Sequence, residues 1–334
     1  TEAVIAGLLI NLRFFAMFII AQVLVASDEP WVSKLKKWLI PWLLAVTVFL
    51  GIMAILQVTV IPKDFLANFG YDKETTIAPY ILIDENQSAL RAFATMRGPN
   101  TLASYLLLPF ALAALLWWKD RKKWWLLGIL ALCAVAIFLT QSRSGWLGAT
   151  AVLAVAAWLK IPRAQMLKCI RIGIIPFIAV VILGLWLATN VPQLRLLVFH
   201  SGGDSQSESL LEGSSQQHWQ AAVDGIKQIG EYPFGKGVGT AGPASYYNTT
   251  AAANIPEDYF VQIGEEVGLI GLALFLAITA VVAMKLFRQH TQLWPLALLA
   301  SFIGINIMNL FLHGWADDPT AMTWWGIAGL YISA

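Results

Sequence analysis

Long apolar runs dominate this chain, and they leave it few ways to fold. Stretches of roughly 15–24 residues carry almost no charge, close to the twenty or so that one helix needs to cross a bilayer. Nine candidate spans follow, at roughly 3–26, 38–60, 101–118, 124–140, 145–159, 172–189, 264–286, 292–312 and 319–334. Only 13% of the 334 residues are charged, 58% are apolar and the mean hydropathy is +0.67. A soluble domain averages about 25% charged residues. A soluble globular enzyme, a disordered chain and a coiled coil are thereby excluded. Spans must be helical, because an open strand in lipid leaves backbone groups unpaired. The expected fold is all-α: a polytopic transmembrane bundle of about nine spans. No residue-level repeat is evident.

The connections set an orientation. Lys34, Lys36 and Lys37 fall in one, Lys119, Arg121, Lys122 and Lys123 in the next of the same set, then Lys160, Arg163, Lys168 and Arg171, and finally Lys285 and Arg288. These alternate connections contain only Asp28, Glu29 and Asp120 as acids. The positive-inside rule places them in the cytoplasm, which puts the N-terminus outside and the C-terminus inside. Trp117, Trp118, Trp124 and Trp125 sit at expected span ends, as interfacial anchors do. The chain opens on Thr1, already in an apolar stretch and without a recognisable signal peptide, which is compatible with a fragment lacking upstream helices. Cys133 and Cys169 lie in or beside apolar runs and form neither a disulfide framework nor a metal site. The net charge of +2 is not clustered, so nothing points to nucleic acid.

The domain reading has three parts. Residues 1–189 are transmembrane helices with an outer loop at about 61–100. Residues 190–263 are a large extracytoplasmic loop, too long for an idle connection, with an amphipathic helix over Ser215 to Ile229. Residues 264–334 are the C-terminal spans. Polar chemistry is therefore concentrated on the outer face, and the short basic connections leave no room for an ATP-binding domain.

Arg91 and Arg97 lie in the run from Arg91 to Asn100, just before a span, and Arg143 lies in Thr140 to Gly145, between two spans. A guanidinium is a planar, permanently charged fork suited to phosphate oxygens, and three at one membrane face can hold a pyrophosphate. Taken singly, each could instead snorkel to lipid headgroups or pair with an acid. Arg13 is mid-span, where a charge is expensive; it faces the same cavity or it snorkels. Gly237, Gly239 and Gly242 spell a Gly-x-Gly-x-x-Gly, but without a strand before it or a helix after it the dinucleotide reading fails. A tight turn bringing backbone N–H groups to a phosphate or sugar fits better, with a plain flexible loop as the alternative. Glu257 and Asp258 precede a span that Glu265 and Glu266 enter, and they serve either the helix dipole or, partly desolvated, as a base. His313, close to Asp317 and Asp318, can relay a proton or orient a hydroxyl. His200, His218, His290 and His313 are too scattered for a metal site. Asn248 opens a sequon that carries no weight without a secretory context.

The stretches Arg91 to Tyr105, Leu139 to Gly148, Pro233 to Ser245, Glu257 to Gly271 and His313 to Gly329 together resemble the O-antigen ligase and O-antigen polymerase superfamily, bacterial multi-pass glycosyltransferases. Arg91 with Pro99-Asn100 is similar to the family's Arg…Pro-Asn stretch, Ser142-Arg143-Ser144 to its Ser-Arg-Ser/Gly turn, and Pro233 to Gly239 to its glycine turn. The resemblance implies a helical body of the kind seen in GT-C-type membrane glycosyltransferases, placed in the cytoplasmic (inner) membrane with its active face outward. It implies transfer of a glycan from an undecaprenyl-pyrophosphate donor to a hydroxyl-bearing glycan or lipid acceptor, in cell-envelope polysaccharide biosynthesis, with no metal and no nucleotide cofactor. Substrate contacts would come from Arg91, Arg97, Asn100, Arg143, His218, Lys236, Gly237 and Gly239. Two departures stand out. Glu257-Asp258 replaces the His-Asn pair of many members, so Glu257 or His313 would be the base. Gln217 and His218 precede Trp219 where many members have an arginine, a charge that Lys236 would supply. The alternatives are a polymerase that extends the lipid-linked glycan, and a transporter or flippase for a polyprenyl-linked or amphiphilic solute. The latter would be expected to show midplane charges and paired repeats.

Overall fold

A computed structural model describes residues 2–72, 74, 77–83, 86–162, 165, 208–249, 251–256 and 258–332. Nine α-helices occur among them: α1 Glu2–Ala26, α2 Pro30–Thr59, α3 Pro99–Lys119, α4 Trp124–Leu139, α5 Arg143–Lys160, α6 Glu208–Glu231, α7 Tyr259–Arg288, α8 Leu293–Met308 and α9 Asp318–Tyr331. Their ends follow local chemistry. Pro30 and Pro99 occupy first-turn positions where no N–H is missed. Ser142 and Asp258 cap α5 and α7 by accepting backbone N–H bonds. One departure from an all-helical chain is a small antiparallel hairpin, Leu82–Ile83 with Asn86–Leu90, in the segment before α3.

Every expected span except 172–189, which lies outside the described residues, corresponds to a helix. Four of these, α1, α2, α3 and α7, are long and apolar enough to cross a membrane, while α4 and α8 are apolar but have 16 residues each. Burial separates them. In α3, 72% of the apolar window is buried, against 17% in α1 and 22% in α7. The core therefore forms around α3, which packs on α4, α5 and α8, while α1 leans on α9 along the outside. The α5–α8 crossing is close because Gly148 and Gly304 face each other, where a β-carbon on Gly304 would stand 2.8 Å from the Gly148 carbonyl. Trp315, Trp324, Trp325, Phe302 and Phe14 fill the space between α1, α8 and α9 with tilted, stacked and edge-on rings.

The two ends of the bundle differ. At one, the Tyr331 hydroxyl donates to the Lys36 carbonyl at 3.3 Å and the Tyr331 ring stacks on Trp294. At the other lie the segment before α3, the α4–α5 turn, the chain between α6 and α7, and the α8–α9 turn. The lysines at 34, 36 and 37 are not in a connecting loop as expected but in the first turns of α2, because Pro30 starts that helix early. Helix α7 likewise begins before the expected 264, so Glu265 and Glu266 sit inside it as buried residues. Trp118, Trp124 and Trp125 are exposed, and the Arg121 guanidinium lies 3.7 Å from the Trp117 ring centre.

Candidate functional site

The first turn of α3 organises one end of the molecule. The strand ending at Leu90 leads into Arg91, whose Nε donates to the Thr140 carbonyl at 3.0 Å and whose second guanidinium nitrogen donates to Asn100 Oδ1 at 3.3 Å. Ala92 N–H adds a bond to the Leu139 carbonyl, 2.9 Å. Buried Gln57 of α2 then accepts from both Phe93 and Ala94 N–H groups, each at 2.9 Å. The segment 91–94 is thus stitched to α2, α3 and the α4–α5 turn. Arg143 opens α5 and is exposed, two residues before Gly145, which packs on Ala103 of α3. Arg97 is exposed just before α3 and lies close enough to Arg13 and Asp317 to act on both electrostatically. Arg91 and Asn100 meet beside the N-terminus of α3, which Arg97 just precedes, while Arg143 stands at the N-terminus of α5, and Arg91 spends much of its fork holding the scaffold.

The α8–α9 turn supplies the acids. Asp317 occupies the N-cap position of α9, yet its side chain makes no capping bond. It turns instead to accept from the Thr101 hydroxyl at 2.8 Å. Burial pushes its carboxyl up to about 6, against the opposing pull of Thr101, Arg97 and Arg13. Asp318 forms an ion pair with Arg13, whose guanidinium also donates to the Ala316 carbonyl at 2.6 Å. The mid-span arginine therefore faces inward onto this turn and does not snorkel.

His313 takes a different environment from the one its neighbours in sequence suggest. Neither Asp317 nor Asp318 is its partner. The ring bonds the Pro256 carbonyl, and burial lowers its pKa to about 4, so it is neutral at pH 7. Nε2 is buried with no hydrogen-bond partner. The bond to Pro256 then belongs to Nδ1–H, which leaves the Nε2 lone pair able to accept a proton. Asp258 follows closely and caps α7, bonding Phe260 and Val261 N–H at 2.7 and 3.0 Å. Burial raises its pKa, and those two bonds oppose the rise. Glu257 lies outside the described residues. So does the side chain of His218, whose backbone is helical within α6.

The glycine run folds against α7. That helix is broken at Gly268, which has φ 69° and ψ −171°. Lys236 and Gly237 N–H groups bond the Glu265 and Glu266 carbonyls at 2.8 and 3.0 Å, and Leu269 N–H bonds the Pro233 carbonyl at 2.9 Å. The loop thus replaces the missing helical turn and satisfies both half-helix ends. Gly239 N–H donates to Glu266 Oε1 at 2.7 Å. These N–H groups are engaged within the protein, so the expected cradle of free N–H donors for a phosphate is not formed at 236, 237 and 239. Lys236 extends outward, with Nζ 2.6 Å from Gln228 Oε1 and 4.7 Å from the Tyr232 ring centre.

Helix α1 joins the two halves. Asn11 donates to Glu266 Oε2 at 3.0 Å and accepts from the Tyr259 hydroxyl at 3.1 Å, two residues before Arg13. Lys236, Gly237 and Gly239 are therefore linked to the arginine group through α1 and α7. Gln57, Thr101 and Tyr259 escaped the sequence reading, since the partner of each lies far along the chain. Among the described residues, no group of three or more His, Cys, Asp or Glu is arranged to hold a metal ion.

Residues 128–276 match the sequence model of the O-antigen ligase family. The match runs from α4 through the glycine loop to the middle of α7, under half of the chain. It includes Arg143, His218, Lys236, Gly237, Gly239 and Glu257, and it stops short of Arg91, Arg97, Asn100 and His313. No curated protein matches the chain.

Proposed function

With residues 128–276 assigned to the O-antigen ligase superfamily, we propose that this multi-pass membrane protein transfers a glycan from an undecaprenyl-pyrophosphate donor to a hydroxyl acceptor on the outer face of the cytoplasmic membrane. Its N-terminal end faces out and the basic connections face in. The segment from 190 to 263 forms the extracytoplasmic part, between the helices of 1–189 and 264–334. The family match supports a glycan-handling enzyme of the ligase or polymerase type, and four helices long and apolar enough to cross a membrane support a multi-pass membrane protein.

Arg97 and Arg143 grip the diphosphate, with Arg91 and Asn100 bracing that pair and lending the charge of Arg91. Lys236 and His218 meet the glycan from the large loop, whose course Gly237 and Gly239 shape. The acceptor oxygen attacks the anomeric carbon as the bond from that carbon to the diphosphate oxygen breaks. The hydroxyl proton passes to His313 Nε2 or to Glu257, and polyprenyl diphosphate leaves. A single displacement inverts the anomeric centre. Fixed guanidinium groups stabilise charge as it develops on the leaving group, and holding both substrates together supplies further rate.

The observation that carries this reading is the bonding of Arg91 to Asn100 and to the Thr140 carbonyl, which ties together the starts of α3 and α5, where Arg97 and Arg143 stand, at the end of the bundle that also holds His313 with an unpartnered ring nitrogen. The test is chemical. Purified protein in lipid nanodiscs, given a polyprenyl-diphosphate glycan and a hydroxyl acceptor, releases polyprenyl diphosphate and glycosylates the acceptor. Arg143→Ala lowers the rate by on the order of 100-fold or more with normal insertion. No release from the parent protein, or full activity in both Arg143→Ala and Arg91→Ala, overturns the reading. A rate lost in Glu257→Gln but kept in His313→Gln assigns the base to Glu257, and the converse assigns it to His313.

A further inference from the structure

Arg13 has no place in the chemistry above, yet it is the charge hardest to explain as scaffold. It lies midway along α1, level with the α8–α9 turn at the end of the bundle that holds the arginine segments. Its guanidinium turns inward to Asp318 and the Ala316 carbonyl. Its Nε is buried without a hydrogen-bond partner. Arg97, a second cation, is near enough to repel it, and Asp317 and Tyr259 also face it. Two guanidinium groups that act on each other and on the same carboxylate, Asp317, offer an anion a shared place. Asp317 fills that place only in part, because its Oδ2 is engaged by Thr101.

Resting on the transferase reading, we propose that Arg13 is a fourth arginine of the diphosphate site and that Asp318 holds it while the donor is absent. When the donor arrives, the guanidinium exchanges the carboxylate for a phosphate oxygen, with Arg97 on the other side. No covalent bond changes. The charges agree with this. Arg13 and Arg97 both act on Asp317, so a phosphate oxygen taking a place beside that carboxylate would meet two guanidinium groups. The planar fork of arginine suits such an exchange, because it presents paired N–H donors to carboxylate and phosphate alike. Asp318 is exposed enough to swing away.

The proposal predicts opposite signs for the two members of one ion pair. The probe is inorganic pyrophosphate, read both as a shift in the unfolding temperature of the full chain in nanodiscs and as inhibition of transfer. Arg13→Gln weakens pyrophosphate binding by on the order of tenfold and raises the donor KM alike, with the acceptor KM unmoved. Asp318→Asn removes the competitor and tightens pyrophosphate binding by about threefold. If the pair is only a structural tether, both variants weaken binding or both leave it alone, and the proposal falls. Should Arg13→Gln fail to insert, Asp318→Asn decides alone, since an absent tightening overturns the idea. Nanodiscs of phosphatidylcholine, with and without phosphatidylglycerol, separate the sources of phosphate. Tightening that occurs only toward the anionic lipid overturns a donor site. The thermal shift needs no turnover, so a parent protein that binds pyrophosphate but transfers nothing fails the transferase reading without failing this one.

Discussion

Two regions of this protein look alike in sequence and behave differently in structure. The arginine segments around α3 and the glycine run before α7 both read as places to receive phosphate. Around α3, Arg97 and Arg143 are left exposed while buried Gln57 and Arg91 carry the structural bonds. In the glycine run the N–H groups of Lys236, Gly237 and Gly239 all turn inward to Glu265 and Glu266. One region leaves two guanidinium groups exposed, and the other uses its donors to mend a broken helix. Residue type indicates what a segment can bind. What it does bind depends on whether the fold leaves its donors free.

The glycines give the largest test of that contrast. Gly235 and Gly268 approach each other's backbone so closely that a β-carbon on Gly235 would lie 2.4 Å from the Glu266 carbonyl oxygen, and one on Gly268 2.3 Å from the Pro233 oxygen. Gly237 has φ 104° but open space around it. Gly235→Ala should therefore cost about 3 kcal/mol or more, from overpacking added to a left-handed backbone. Gly237→Ala should cost about 1 kcal/mol, from the backbone alone. Reversible unfolding in mixed micelles measures both. If Gly235→Ala leaves stability intact and removes only donor binding, the loop is a ligand cradle and the contrast breaks.

The arginine side can be sharpened in the same way. Gln57 satisfies two backbone N–H groups in a buried place, so Gln57→Leu leaves both without a partner. A buried unsatisfied group costs roughly 1–3 kcal/mol. Stability should fall by about 2–6 kcal/mol, and the arm carrying Arg91 and Arg97 should loosen, raising the donor KM more than it lowers kcat. A kcat loss with unchanged KM would mean that this arm is not part of donor binding.

What the sequence made legible follows from how far each signal reaches. Hydropathy is local, and it located the described helices to within a few residues, apart from the early starts of α2 and α7. The period of polar and apolar residues likewise placed an amphipathic helix at Ser215 to Ile229, inside the observed Glu208–Glu231. Pairing is not local. Arg13 meets the Ala316 carbonyl across 303 residues of chain, and Asn11 meets Glu266 across 255. Composition near Arg13 shows an expensive charge and nothing about its partner. The break at Gly268 is similar. Its glycine is visible in the sequence, but the carbonyl of Pro233 that requires it arrives from a separate loop. The acids beside His313 mislead for the same reason, since they point to Thr101 and Arg13 and leave the ring to Pro256.

The smallest effect concerns pH, and it separates the two polar groups of the α8–α9 turn. Asp317 has its carboxyl raised by burial to about 6 from an ordinary 3.8. The folded state then holds that proton more tightly than the unfolded one. The stability this gives is complete below pH 4 and is lost as pH rises through 6. His313 works in the opposite sense. Its folded value of about 4 lies below the ordinary 6.5, so the unfolded chain takes up the proton first. Stability from His313 is complete above pH 6.5 and is lost as pH falls toward 4. Within that window the two slopes oppose each other, and the parent protein should show a shallow dependence. Asp317→Asn should leave a curve that rises from pH 4 to 6.5, and His313→Gln one that falls over the same interval. Thermal unfolding of the three proteins across this range measures it. Parallel curves would mean that the turn is wetter than its burial implies, with both groups near their ordinary values and the His313 ring a stronger base than burial makes it.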